Sequence, residues 1–163
     1  MRWQVVCCGG RNRAYDAFIH ATRTEPDRLN VLLVDSEGPV PDGDNGTRAV
    51  RHLSRSDGWR LDDVGPANVH LMIQCMETWM VADPDALARF YGQNFHRNSL
   101  PVRQNLEQEP KQAIYDALKA ATRDTQKGEY GKIRHASRVL APLDAQKVKT
   151  RCGACDLLYA LLG

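Results

Sequence analysis

No apolar run in this sequence approaches the roughly 20 residues that a membrane-spanning helix needs. The start, Met1-Arg2-Trp3-Gln4, also lacks the long apolar stretch of a secretory signal. Both absences lead to the expectation of a cytoplasmic protein with no membrane contact. Glycine and proline are sparse, at 12 and 8 in 163 residues, which excludes collagen-like and low-complexity chains. The five cysteines are an odd number, so a complete internal disulfide framework cannot use them all. Cys152-Gly153-Ala154-Cys155 has the spacing of a redox or zinc pair, but no second such pair or neighbouring histidine pair completes a zinc set. Small buried thiols in a reducing compartment are the plainer reading of Cys7, Cys8 and Cys75, which sit in apolar runs, and a place in a terminal helix is the plainer reading of Cys152 and Cys155. Also missing are the Walker A order, the dinucleotide-binding glycine fingerprint and any local Ser/His/Asp or Cys/His set. Nucleophilic hydrolase chemistry therefore has no support in the sequence.

What remains is the composition of an ordinary globular chain, 42% apolar and 26% charged, of a length suited to one domain. The net charge of +2 conceals an asymmetry. Residues 1–96 carry 10 basic and 13 acidic side chains, whereas residues 97–163 carry 12 basic and 7 acidic. A basic half beside an acidic one suits a phosphate-binding surface next to a carboxylate cluster, or equally a solvated, cation-rich helical face.

The first half alternates short apolar runs with stretches of helical period, the pattern of βαβ units around a parallel sheet. Strands are expected over residues 3–8, 29–34 and 69–76, with helices over 11–23 and 47–56 and an exposed loop over 38–46 between the second strand and the second helix. From Glu77 onward the pattern is helical: 77–91 with a break at Asp83-Pro84, then 110–122, 132–140 and 147–162. Residues 94–109 and 124–131 read as a loop and a polar linker. The fold expected is α/β, a compact Rossmann-like and mostly parallel sheet flanked by helices. Residues 1–77 would supply its sheet-forming units and 78–163 a mainly helical half.

The acids that end the strands are the informative feature, because ligands of open parallel sheets bind outside the strands' carboxyl ends. Asp35 and Glu37 follow the second strand, two residues apart and on the same side of an extended backbone. Glu77 follows the third. Oxygen donors of this kind suit Mg²⁺ or Mn²⁺. The alternative is structural, with Asp35 capping a turn and Glu77 opening a helix. Gly9-Gly10-Arg11-Asn12-Arg13 precedes a helix and could offer N–H groups and the guanidiniums of Arg11 and Arg13 to phosphate, or form an ordinary glycine turn. In the basic half, Lys111 and Lys132 could stabilise a phosphoryl group. His135, which shares a helical face with Lys132, could move a proton or simply pack.

Three segments together resemble a known family. They are Leu32-Leu33-Val34-Asp35-Ser36-Glu37-Gly38, then Met72 to Asp83 with its E-x-W-x-x-A-D pattern, and Tyr130-Gly131-Lys132 with His135. The chain resembles the bacterial TOPRIM-like family labelled domain of unknown function 4276. The resemblance implies a single TOPRIM-like domain over residues 1–163, akin to Mg²⁺-dependent enzymes that cut or join nucleic-acid phosphodiesters. Members often look like partners of ATPases in phage-defence systems. By position, Asp35, Glu37 and Glu77 match the metal-holding acids, Lys132 matches a tyrosine-x-lysine element, and Glu77, Lys132 and His135 are the catalytic candidates. Arg11, Arg13 and Lys111 are the phosphate-binding candidates. One departure stands out: where TOPRIM-like chains place a glutamate after the first strand, this one reads Cys7-Cys8-Gly9-Gly10-Arg11. A catalytically degenerate subunit that docks on a partner protein is therefore the alternative expectation.

Overall fold

The computed structural model describes residues 3–43 and 45–163. The expectations at Met1, Arg2 and, within the 38–46 loop, Asp44 lie outside the described residues. The architecture is mixed α/β and rich in helix. Two short strands, β1 (Leu32–Asp35) and β2 (Val69–Met72), pair in parallel with Leu32 opposite Val69 and Asp35 opposite Met72. The helix α1 (Arg11–Thr24) precedes β1, and α2 (Asn45–Ser56) lies in the crossover between the strands. Apart from Asp35 and His70, both strands are apolar, and they are buried along most of their length, as a sheet covered on two faces requires.

Residues 3–8 do not form the expected first strand, so the sheet is smaller than the apolar runs imply. Val5 and Val6 are largely exposed, and the segment's anchor is the Trp3 indole N–H, which donates to the Leu162 carbonyl at 3.2 Å. Strand propensity is a weak preference that a ladder partner must satisfy, and among the described residues no strand pairs with this run. Gly9, in the left-handed region at φ +75°, turns the chain, and Gly10 opens α1.

Beyond β2 the chain is helical: α3 (Met76–Ala82), α4 (Pro84–Tyr91), α5 (Lys111–Thr122), α6 (Lys132–Leu140), α7 (Ala145–Arg151) and α8 (Cys155–Leu162). The third apolar run is strand only to Met72, and helix begins at Met76 rather than Glu77. The break at Asp83-Pro84 is present. Asp83, fully buried, accepts from the Ala86 N–H at 3.1 Å and caps α4, while its other oxygen takes the Asp144 N–H at 3.0 Å. Burial pushes the Asp83 carboxyl up, but those N–H groups and the Lys147 ammonium outweigh it and leave it below its usual range. The stretch expected as one helix over 147–162 is two, interrupted at Cys152-Gly153-Ala154. Residues 94–109 contain two short 3-10 turns.

Two apolar clusters hold the fold. One joins β1, β2, α1 and α2 through Phe18, Leu32, Val34, Leu53 and Leu71. The other joins α3 to α8 through Met80, Leu87, Ile114, Leu118 and Val139. Cys75, Cys152 and Cys155 are wholly buried in the second, and burial pushes the Cys155 thiol up to about 12. They behave there as small apolar side chains. Among the described residues, no helix is long and apolar enough to cross a membrane.

Candidate carboxylate site

Parallel pairing of β1 with β2 brings both strand ends to one edge. The pairing continues beyond the strands, since the Ser36 N–H donates to the Met72 carbonyl at 3.1 Å and the Glu37 N–H to the Gln74 carbonyl at 2.9 Å. Asp35 closes β1, and Glu77 lies in the first turn of α3, which starts at that same edge. Glu77 is fully buried and Asp35 nearly so.

Lys132, at the start of α6, reaches across to this pair. Its ammonium stands 3.6 Å from Asp35 Oδ2 and 3.7 Å from Glu77 Oε1, while half of its side chain stays exposed. The Tyr130 hydroxyl donates to Glu77 Oε1 at 2.8 Å. Burial, followed by the Glu77 charge, raises the Tyr130 pKa, so the phenol remains a donor. Burial, followed by the Glu77 charge, also raises the Tyr115 phenol. The remaining oxygens, Asp35 Oδ1 and Glu77 Oε2, are buried with no hydrogen-bond partner. Burial is the largest influence on the Asp35 carboxyl and raises it. Lys132 pulls the other way, Glu77 and Glu37 push up, and the Met76 N–H pulls down.

Glu37 stands apart from this pair. Its backbone is left-handed at φ +63°, costly for a residue with a side chain, and its exposed carboxylate pairs with the Lys111 ammonium. The Lys111 N–H is itself anchored on Gln74 Oε1 at 3.2 Å. Among the described residues, no three histidine, cysteine or acidic side chains converge as a metal-holding group. The three expected acids are thus seen as a buried pair, Asp35 and Glu77, with Glu37 and Lys111 at its border. Two carboxylates suffice for a hard cation that keeps several waters, and two orphaned buried oxygens are the donors it requires. The residues present fit Mg²⁺ or Mn²⁺.

Other expected residues are placed elsewhere. Arg11 pairs with Asp57 at 2.6 Å and lies over the Trp59 ring, and Arg13 is exposed on α1. His135 is buried behind Tyr130, its ring centroid 6.3 Å from the phenol ring. Its Nδ1 accepts from the Gly131 N–H at 3.2 Å and lies 3.1 Å from the Tyr91 hydroxyl. That arrangement fixes the turn leading into Lys132. Tyr115 is a further neighbour of the site, four positions after Lys111 on the same helical face, with the Lys111 ammonium 5.8 Å from its ring centroid.

The family model described as domain of unknown function (DUF4276) matches residues 10–162, and the chain belongs to that family. Nothing among curated proteins or solved structures matches it.

Proposed function

We propose that this protein is a metal-dependent, nuclease-like protein of TOPRIM-like fold that acts on nucleic-acid phosphodiesters. The observation that carries the reading is the facing pair of buried carboxylates, Asp35 and Glu77, each with one oxygen lacking a hydrogen-bond partner. An unpaired buried acceptor costs about 1–3 kcal/mol, and a site that retains two beside a mobile lysine is built for a cation. Asp35 and Glu77 would hold Mg²⁺ or Mn²⁺. The bound ion would supply a Lewis acid for water and for charge at the phosphorus.

The chain's own groups do the rest. Lys132, half-exposed and only loosely paired, is free to swing from the carboxylates to a phosphoryl oxygen. Tyr130 orients Glu77. Lys111 carries positive charge at the border, where a phosphate backbone would pass. His135 acts here as a positioning residue for Gly131 and Lys132. Partnership with an ATPase in a phage-defence system rests on the family resemblance alone.

A second reading, a catalytically degenerate subunit that docks on a partner, draws on one observation. The place of the missing first-strand glutamate is taken by Arg11, which is committed to Asp57. Calorimetric titration with Mn²⁺ separates the two. Wild type should bind the ion and Glu77→Gln should not, although Gln keeps the acceptor for Tyr130. Mn²⁺-dependent cleavage of plasmid, single strands or transfer RNA should disappear in Asp35→Asn. Equal Mn²⁺ uptake by wild type and Glu77→Gln would refute the site.

A further inference from the structure

Beyond the carboxylate edge, α2 carries Arg48, Arg51 and Arg55 at i, i+3 and i+7, one stripe of a helix. With Val40, Asp42 and His52 they line a cavity of about 290 Å³. That is small for a drug-sized ligand and ample for one phosphate group with its sugar. The opposite face of α2 buries Ala49 and Leu53, which fixes the stripe outward.

The three guanidiniums are not equivalent. Arg48 is largely buried and is held by the Val40 carbonyl at 2.8 Å and the Pro41 carbonyl at 3.1 Å. Its one carboxylate, Asp42, is fully exposed and 3.7 Å away. Arg51 donates to the Thr47 hydroxyl at 2.9 Å and has no acidic partner among the described residues. Arg55 has none either, and both are exposed. Among the described residues these three five-donor cations face one lining acid, the fully exposed Asp42, so the wall stays positive, and the planar fork of Arg matches phosphate. His52 ties this wall to the catalytic edge, its Nε2 lying 2.9 Å from the Ser36 carbonyl, between Asp35 and Glu37.

We propose that the α2 cavity binds a backbone phosphate of a nucleic-acid strand whose neighbouring phosphodiester lies at Asp35 and Glu77. Arg51 and Arg55 are the binding residues and Arg48 is their rigid floor. The inference rests on the nucleic-acid reading above and names the surface that holds the strand in register.

The test is fluorescence anisotropy on the full chain with a labelled single-stranded oligonucleotide in EDTA, from 50 to 300 mM salt. Wild type should bind. Arg51→Gln/Arg55→Gln should weaken binding roughly tenfold or more and flatten the slope of log K against log salt by about 1.4, that is, 0.7 per lost phosphate contact. Equal affinity and slope for the double variant, or no binding by wild type, overturns the proposal. So does displacement by oligoglutamate more readily than by unlabelled oligonucleotide, which would make the cavity a dock for an acidic protein segment. Cleavage with Mn²⁺ is read separately. Arginine-dependent binding without cleavage leaves this site standing and removes the nuclease reading, whereas cleavage untouched by the arginine substitutions does the reverse.

Discussion

Replacing Asp35 with Asn should make the metal-free protein more stable at neutral pH, and the size of the effect follows from its surroundings. The carboxylate is nearly buried, its Oδ1 has no partner, and its one cation stands 3.6 Å away on a half-exposed lysine. An unsatisfied buried acceptor costs about 1–3 kcal/mol. A partly exposed ion pair returns about 0–1 kcal/mol. The amide variant should thus gain about 1–2 kcal/mol, which for a chain of this size is roughly 2–8 °C in Tm. The pH dependence has a definite sign. Burial raises the Asp35 carboxyl above its ordinary 3.8, so the folded chain holds its proton more tightly than the unfolded one. Stability therefore falls as pH rises from about 3.8 through the folded value, and the advantage of Asn appears across that window and vanishes below it. Saturating Mn²⁺ should reverse the ranking, since a ligand at a hundred times its Kd adds about 2.7 kcal/mol to wild type alone. Thermal melts followed by circular dichroism, in EDTA and in Mn²⁺ at pH 7 and below pH 3.8, read all of this. An Asn variant less stable than wild type at pH 7 in EDTA would refute the reasoning, because it would make Asp35 a net structural support.

Removing the hydroxyl that satisfies Glu77, in Tyr130→Phe, should cost about 1.5–3 kcal/mol in urea melts, and an unchanged midpoint at constant m-value would show that the 2.8 Å bond contributes nothing. Burial, and then the nearby Arg134, Arg138 and Lys127 charges, hold the His135 pKa below its ordinary 6.5. Its contribution is therefore full above 6.5 and declines as pH falls below that value. The stability slope between pH 7.5 and 5.5 should be shallower in His135→Asn, and an identical slope would contradict the assignment. Leu118→Ala opens a void under α5 at a fully buried position and should cost about 2–5 kcal/mol, with a loss under about 1 kcal/mol arguing against tight packing there.

The acids at the strand ends were legible because a parallel pair of apolar strands brings its carboxyl ends to one edge whatever the rest of the sheet does. Asp35 and Glu77 met for that reason, and the E-x-W-x-x-A-D segment placed Glu77 on the site and Asp83 on a cap. Most helices were legible from period and proline placement. The failure at residues 3–8 has a different origin, since β-prone composition says nothing about whether a neighbour exists to complete the ladder. Arg11 shows the same limit, as its partner Asp57 lies 46 residues away. The arginines at 48, 51 and 55 do not stand out in the sequence from a solvated helical face, and the cavity beside them is what distinguishes them.

Asp35 and Glu37 extend from β1, which packs in the first apolar cluster, while Lys132 and Lys111 sit on α6 and α5, which pack in the second. The first cluster's side of the seam between them brings Asp35 and Glu37, and the second brings both lysines together with Glu77 on α3. A ligand that grips both sides acts as a clasp between two separately packed bodies, so its arrival should slow amide exchange in β1 and α6 together.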